Sequence, residues 1–521
     1  MTSGVRMLLG NGRDLPCHQE VIRFAVLCRA ITLLLQAFFN ILIPDHDADA
    51  FSPPRLSASG SWDRLLELLL GGLSRWDAEH FLFIAEHGYV YEHNCAFFPL
   101  FPLSLRAAAE TVLWPFQGFL SLRSRLLLSA AVLNAFCSAL ASWALYELSC
   151  SVLQCRQKAL LAATLFCLTP ANIFMAAAYS ESMFASLVFG AMWRLEKGQR
   201  CSSTLLFSLA TSVRSNGLIN AGFLLHSQLK RFAARVQAGA GTGVKPLEVL
   251  SQILNLVASA VLVSVAVSLL FALFQFYAYL RFCTPLFRPQ QTVPKPLLQL
   301  AVDKGYRVAA LNGGEPPWCS WDFPVVYTYI QDAYWNVGFL RYFEPRQIPN
   351  FLLAAPTIAL GSWAVCWYVA ANPWHCLTLG LVRRNPGGTE AEEDAGKPAS
   401  GFCSPRAFVY VVHAAALLVF GTFFMHVQVI TRFLGSSSPV LYWFLAHLLY
   451  QYEPLLQRES PQPQALGTKE SLSHQKRNEN PMFVLLSNWK ESTVFTKCIL
   501  GYMLSYWLLG LVLHCNFFPW T

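Results

Sequence analysis

The sequence has few charged residues for its length. Asp, Glu, Lys and Arg make up 13% of its 521 residues, and hydrophobic residues make up 55%, whereas about a quarter of the residues in soluble domains are charged. The deficit extends along the whole chain, which is typical of a protein that crosses a membrane many times. The sequence therefore predicts an all-α, polytopic transmembrane protein.

Two further absences narrow the function. No basic run is interleaved with aromatic residues, so nucleic-acid binding is not expected. The net charge of +8 instead fits Lys and Arg gathered in cytosolic loops. No CxxC pair occurs among the 15 cysteines, which argues against a zinc or redox site. Cys283 and Cys319 lie in a long polar loop and could form a disulfide if that loop faces an oxidising compartment.

Ten apolar stretches have roughly the 20 residues that a helix needs to cross a bilayer, although one of them is short. The sequence predicts about ten spans, and nine to twelve are compatible with the pattern. Residues 439–450 are too short to cross comfortably and could be re-entrant. The predicted spans are residues 21–43, 97–119, 125–148, 159–178, 183–194, 203–226, 250–280, 351–371, 408–430 and 496–515.

The charge of the polar segments predicts the orientation. Residues 44–96 contain three Lys or Arg against nine acids, as expected of a luminal loop, and residues 227–248 carry four basic residues, as expected of a cytosolic one. We therefore divide the chain into a cytosolic tail 1–20, a transmembrane domain 21–451 with luminal loops 44–96 and 281–350 and a cytosolic linker 372–406, a polar flexible loop 452–495, and a last span with its tail 496–521.

One segment concentrates ionisable side chains, SRWDAEHFLFIAEHGY, which begins at Ser74 in the first luminal loop. Ser74 followed by Asp77 fits an S-x-x-D capping box at the start of a helix, and Gly88 fits the end of that helix. At about 100° per residue, Asp77 and His80 share one face, whereas Glu79 lies on the opposite face. The two carboxylates cannot reach the same bond, which argues against a glycosidase with paired carboxylates.

Asp77 is the candidate general base of this segment. Trp76 precedes it and is suited to the membrane interface or to stacking on a sugar. The alternative is that Asp77 only caps the helix, Trp76 anchors it and His80 hydrogen-bonds to a neighbour. His80 and His87 are separated by seven residues instead of the four of a zinc-binding helix, so no metal site is expected here.

Three ionisable residues lie in apolar surroundings elsewhere. Arg432 follows an apolar span and could hold a phosphate bidentately, or could only extend its side chain to the interface. Glu181 and Arg214, with Asn216 close by in sequence, lie where charges are costly, so the two could form an internal pair. A structural role for this pair is favoured over a catalytic one.

The second luminal loop contains the aromatic stretch CSWDFPVVYTYIQDAYWNVGFLRYF. Asp322 and Asp332, together with Tyr334 and Trp335, could bind a glycan through hydrogen bonds and aromatic stacking. Ordinary packing of the loop is the slightly favoured alternative.

The sequence contains, in order, WDAEHFLFIAEHGY, FFPLFPL, TPANIFMAAAYSESMFA, TSVRSNG, YIQDAYWNVGFLRYF and HVQVITRFLGSSSPVLYWF. Together these motifs resemble the PIG-V family of GPI mannosyltransferases, and the resemblance covers nearly the whole chain. The first motif is the most specific, because it joins Trp-Asp, His and Gly-Tyr at fixed spacing after the first span.

The resemblance implies a GT-C architecture in the endoplasmic reticulum membrane, with residues 21–451 as the catalytic domain and a luminal active site. It implies that mannose is transferred from dolichyl-phosphate-mannose to a one-mannose GPI lipid, without a cofactor or metal. The new linkage is α-1,6 and forms with inversion. By position, Asp77 would be the base, supported by Trp76, with Glu79 and His80 as second choices. Arg432 would hold the donor phosphate.

Three alternatives stay open from the sequence. A different GT-C transferase could use a dolichyl-phosphate sugar with another acceptor. A secondary transporter could use Glu181 and Arg214 near the membrane midplane, although no internal repeat is visible. A non-catalytic assembly subunit would tolerate the loss of Asp77.

Overall fold

The computed structural model describes residues 15–57, 59–239, 246–285, 293–309, 316–382, 401–457 and 480–520. Over these ranges the chain is helical apart from loops, and its β structure is one isolated bridge between Tyr91 and Val308. This confirms the predicted all-α class. Most of the predicted cytosolic tail, and much of the linker 372–406 and the loop 452–495, lie outside the described residues.

The α-helices follow one another along the whole chain. In chain order they are α1 (Leu15–Leu42), α2 (Ser61–Leu70), α3 (Asp77–His87), α4 (Leu100–Glu110), α5 (Leu122–Leu153), α6 (Arg156–Cys167), α7 (Glu181–Glu196), α8 (Arg200–Thr211), α9 (Ala221–Gly239), α10 (Pro246–Cys283), α11 (Lys295–Lys304), α12 (Val326–Ala333), α13 (Ile348–Ala371), α14 (Pro373–Leu377), α15 (Phe408–Phe423), α16 (Ile430–Ser437), α17 (Val440–Tyr452), α18 (Pro454–Gln457), α19 (Pro481–Ser487) and α20 (Val494–Cys515).

Six of these helices, α1, α5, α10, α13, α15 and α20, are long and apolar enough to cross a membrane. They coincide with six of the predicted spans. Helix α10 is the most apolar of the six, and the rest of the protein leaves its surface largely uncovered. An apolar surface left so uncovered by protein is a surface for lipid.

The other four predicted spans form shorter or interrupted helices. Residues 97–119 contain α4, which ends at Glu110, and residues 159–178 contain α6, which ends at Cys167. Helix α7 has 16 residues, and a 3₁₀ turn at Ser215–Asn220 divides the stretch 203–226. We predicted the apolar stretches that contain α6 and α7 to be membrane spans, but both helices are largely buried in the bundle. A short apolar helix is just as typical of a protein core.

Helix α5 lies at the centre of the bundle and packs against α1, α6 and α7. Helix α7 also packs against α8 and against the short α16. Because α7 begins inside the bundle, its first residue, Glu181, is completely buried. The ends of short helices, with their polar residues, thus meet in the interior.

The two loops that were predicted to be luminal pack against each other. Within the second loop, a disulfide joins Cys283, the last residue of α10, to Cys319, with a Cα–Cα distance of 5.5 Å, as the sequence suggested. The buried carboxylate of Glu92 accepts hydrogen bonds from Trp318 Nε1 at 2.8 Å and from the Tyr334 hydroxyl at 3.0 Å. These contacts fix the second loop on the first.

Gly217 allows the chain to turn back tightly after α8. A Cβ atom at this position would lie 2.7 Å from the Thr211 nitrogen and 2.8 Å from its Cα, closer than nonbonded atoms can approach. The turn that carries Arg214 therefore needs a residue without a side chain.

We predict that Gly217→Ala lowers the thermal unfolding temperature of the purified protein, because the backbone at Thr211 must move; such overpacking costs about 1–3 kcal/mol. Gly222→Ala is the matched control, since a Cβ there meets nothing within 4 Å. Equal unfolding temperatures for the two variants, measured by differential scanning fluorimetry, would contradict this account of the turn.

Candidate active site

Helix α3 begins in a different way from the predicted one. Ser74 lies in a 3₁₀ turn and donates to the Gly71 carbonyl at 2.8 Å, so the expected capping box is wrong. The N-cap is Trp76, with φ 58°. Residues other than glycine rarely adopt this region of backbone conformation. The Asp77 N–H donates to the Tyr179 hydroxyl at 3.1 Å. The Asp77 carboxylate is therefore not used as a cap.

The end of α3 agrees with the sequence. Gly88 follows it with φ 75°, and its N–H donates to the Ile84 carbonyl at 2.8 Å. The helix spans 11 residues, so Asp77 and Glu79 point to different sides, as expected.

Asp77 forms an ion pair with Arg432, whose Nη2 lies 2.7 Å from Asp77 Oδ2. The two residues are 355 positions apart in the chain. Arg432 Nη1 also lies 3.3 Å from Glu181 Oε1, and Arg214 Nη1 lies 2.5 Å from the same oxygen. The result is a network of alternating charges, Asp77–Arg432–Glu181–Arg214, which contains the Glu181–Arg214 pair that the sequence suggested.

Three members of this network face a cavity of about 450 Å³, which we call the charged cavity. The side chains of Asp77, Arg214 and Arg432 are 33%, 17% and 8% exposed. Since all three line the cavity, their remaining exposure is directed into it. Phe271 of α10 and Phe420 of α15 form part of the apolar wall. One side of the charged cavity is thus built by two membrane-spanning helices.

Two aromatic rings support the guanidinium group of Arg432. Its Cζ lies 5.1 Å from the ring centroids of both Phe174 and Tyr179. Such cation–π contacts strengthen in surroundings that exclude water. They hold Arg432 on the side of the charged cavity where Asp77 lies.

The charges around Asp77 decide its protonation. Burial alone raises the pKa of a carboxyl group, but the adjacent Arg432 charge and its hydrogen bond outweigh this, so the pKa of Asp77 is below its ordinary value. Burial lowers the pKa of His80 to about 4, against the opposing charge of Asp77. At neutral pH Asp77 is therefore charged, whereas His80 is neutral.

The second-choice residues Glu79 and His80 lie outside the charged cavity. The buried Glu79 carboxylate pairs with Arg55 at 3.0 Å and with Arg123. His80 is stacked between the rings of Phe51 and Phe97, with centroid distances of 4.3 and 4.4 Å. Both residues thus connect α3 to neighbouring parts of the protein.

The glycan-binding candidates of the second loop also lie away from the charged cavity. Asp322 is exposed, and Asp332 is exposed and paired with Arg341. The carbonyl of Trp335 contacts His426 Nε2 at 2.8 Å, and Tyr334 is bound to Glu92 as described above. These contacts agree with ordinary loop packing, the alternative that the sequence slightly favoured.

Asn216 does line the charged cavity and donates to the Ser437 hydroxyl at 3.0 Å. Sequence reasoning did not single out Ser215, Tyr327 or Thr328, which are among the other residues that line it. The Ser215 hydroxyl donates to the Tyr327 hydroxyl at 2.7 Å, which attaches α12 to the Arg214 turn. For Ser215 the available signal was the TSVRSNG motif, because it brings several polar residues together in an apolar stretch.

A second cavity of about 750 Å³ lies among α3, α4, α8 and α10. Its lining is almost entirely apolar, with Glu86 and Arg106 as its charged members. Across the described ranges, no group of three or more His, Cys, Asp or Glu residues is arranged to hold a metal ion.

Fold and site together define a multi-pass membrane protein with an aspartate–arginine site at a cavity between membrane-spanning helices. The sequence profile of the mannosyltransferase (PIG-V) family matches residues 18–521. The chain belongs to this family and is therefore a glycosyltransferase. Membership in an enzyme family argues against the transporter and assembly-subunit alternatives.

Curated relatives match over nearly their full length. The chain is 57% identical over 506 residues to GPI alpha-1,6-mannosyltransferase 2 of Cricetulus griseus and 56% identical over 506 residues to that of Homo sapiens. Each alignment covers 97% of this chain and 99% of the relative. GPI mannosyltransferase 2 of Drosophila melanogaster is 31% identical over 512 residues, covering 96% of this chain and all of the relative.

We predict that Glu79→Gln destabilises the fold but leaves the activity per folded molecule intact. The change leaves the buried Arg123 without its carboxylate, and breaking a buried pair costs about 3–5 kcal/mol. Glu110→Gln, which breaks an exposed pair with Arg106, is the control and should be nearly neutral. Normal stability with lost mannosyl transfer in Glu79→Gln would instead make Glu79 catalytic.

We also predict that mannosyl transfer shows no titration near the ordinary histidine pKa of 6.5, because the pKa of His80 is about 4 and the ring stays neutral above it. The low pKa of Asp77 likewise keeps this group charged as the pH falls toward its ordinary range. A pH–rate profile of kcat/KM tests this. A rise in activity through pH 6.5 that disappears in His80→Phe would contradict it.

Proposed function

We propose that this protein transfers an α-1,6-linked mannose to a GPI-anchor precursor that carries one mannose. Support comes from the names of curated relatives that are 56–57% identical over nearly the full length of both chains. The donor in this proposal is dolichyl-phosphate-mannose, as the family resemblance implies.

The observation that carries the mechanism is the Asp77–Arg432 ion pair facing the charged cavity. In this proposal the acceptor hydroxyl oxygen forms a bond to C1 of the mannose, and the bond from C1 to the phosphate oxygen breaks. The hydroxyl proton passes to Asp77, and dolichyl phosphate leaves. One displacement converts the β-linked donor into an α-linked product.

The position of each group suits its proposed role. Of the two carboxylate oxygens of Asp77, Oδ2 accepts the hydrogen bond from Arg432 at 2.7 Å, so Oδ1 can accept the proton of the acceptor hydroxyl. An aspartate with a low pKa stays unprotonated and ready as a base at neutral pH. The Arg432 guanidinium stabilises the negative charge that develops on the leaving phosphate, so the proposed reaction needs no metal ion or cofactor.

The walls of the charged cavity suit lipid-linked substrates. Phe420 of α15 is 48% exposed on a membrane-spanning helix, and the neighbouring wall belongs to α10, whose surface is largely uncovered. A polyprenyl chain could remain in the bilayer while its phosphate reaches Arg432. This arrangement keeps the apolar tail out of water and the charged head in a polar site.

We further propose that the protein resides in the endoplasmic reticulum membrane with the charged cavity on the luminal side. The acidic composition of residues 44–96 supports this orientation for α3. The Cys283–Cys319 disulfide supports it for the second loop, since disulfides persist in oxidising compartments.

The test is to replace Asp77 in the full-length protein, produced in cells that lack the endogenous activity. We predict that Asp77→Ala and Asp77→Asn each lower conversion of the one-mannose to the two-mannose GPI intermediate by at least about a hundredfold. Microsomes supplied with labelled dolichyl-phosphate-mannose provide the measurement, with protein abundance determined in parallel.

Asp322→Asn is the matched control, because this aspartate is exposed and lies outside the charged cavity. It should convert the intermediate at the wild-type rate. Full conversion by both Asp77 variants at normal abundance would remove Asp77 as the base.

A further inference from the structure

Two arginines lie side by side at the charged cavity. The Nη1 atoms of Arg214 and Arg432 lie 2.5 and 3.3 Å from the same oxygen, Oε1 of Glu181. Two adjacent guanidinium groups repel each other unless a negative charge lies between them. Glu181 provides that charge and thereby holds both arginines at one edge of the cavity.

Glu181 is itself fixed firmly. It is completely buried and is the first residue of α7, where the helix dipole favours a carboxylate. Its second oxygen, Oε2, is buried and has no hydrogen-bond partner among the described residues. A carboxylate in this position is costly to maintain, which argues that the pair of arginines it gathers has a use.

The two arginines differ in how much of their bonding capacity is occupied. Arg432 is divided between Asp77 and Glu181, and its side chain is 8% exposed. Arg214 contacts Ser180 and Glu181 through Nη1 alone in the described part of the chain, and its side chain is 17% exposed at the cavity. Arg214 therefore has more donors available for an incoming anion.

We infer that Arg214 is a second binding residue for the donor phosphate, acting together with Arg432, and that Glu181 is the residue that positions both. This inference rests on the proposed function. A planar guanidinium matches two phosphate oxygens. The phosphate gains one negative charge when its bond to the sugar breaks and the proton moves to Asp77, so a second cation is most useful at that moment.

The competing explanation is that Arg214 only neutralises the buried Glu181. Replacing Arg214 alone would leave an unpaired buried carboxylate and could unfold the protein. The test therefore compares Glu181→Gln with the double variant Glu181→Gln/Arg214→Gln. These two proteins differ only at position 214, and neither has an unpaired carboxylate at position 181. Gln at position 181 keeps an oxygen that can accept a hydrogen bond from Arg214, as Glu181 Oε1 does.

The measurement is the affinity of the purified full-length proteins, in nanodiscs, for dolichyl phosphate, with dolichol as a probe that lacks the phosphate. We expect the double variant to bind dolichyl phosphate about 10- to 100-fold more weakly than Glu181→Gln, the range for a hydrogen bond to a charged group. Its affinity for dolichol and its unfolding temperature should match those of Glu181→Gln.

Equal affinities of the two variants for dolichyl phosphate would overturn the role of Arg214 and leave the proposed function intact. Failure of the wild-type protein to bind dolichyl phosphate at all would overturn the proposed donor, and this inference with it. Arg214→Lys adds a check on geometry, since it keeps the charge but loses the planar fork. A wild-type KM for the donor in that variant would also count against the inference.

Discussion

The ion pair between Asp77 and Arg432 is the contact on which the site depends. It joins the first predicted luminal loop to a helix near the other end of the chain, across 355 residues. An isolated charge in such surroundings would be strongly unfavourable. The alternation of Asp77, Arg432, Glu181 and Arg214 balances two negative charges with two positive ones. Asp77, Arg214 and Arg432 can then face the cavity while the buried Glu181 balances the two arginines.

Short and interrupted helices make that arrangement possible. The long helices α10 and α15 are apolar and provide a wall facing the membrane, but a continuous helix of this kind could not present many polar groups. Helices α7 and α16 begin within the bundle, and the turn at Ser215–Asn220 interrupts another apolar stretch. Their ends place charged side chains beside an apolar wall, which a lipid with a charged head requires.

The features that the sequence predicted correctly are those that depend on residues close together in the chain. Length and apolarity located α10 and the other five long helices, and helical periodicity separated Asp77 from Glu79. The cost of charge in apolar surroundings identified Glu181 with Arg214. Local pattern could not distinguish lipid contact from core packing for α7.

Other features depend on residues distant in the chain. The capping box at Ser74 failed because the hydroxyl of Tyr179, 102 residues beyond Asp77, accepts the N–H that the cap would have used. The Asp77–Arg432 ion pair could not be predicted either. Each residue was a candidate for the site, but no sequence pattern indicated that the two are in contact. Only the family resemblance gave both a role in one reaction.

The most direct test of the account is a cryo-EM structure of the full-length protein in a nanodisc with dolichyl phosphate bound. The account predicts phosphate density in the charged cavity, in contact with Arg432, with the lipid chain leaving between α10 and α15. Asp77 should face the side of the phosphate where the sugar would be attached. Phosphate density in the second cavity, beside Glu86 and Arg106, with Asp77 and Arg432 closed off from the lipid, would contradict it.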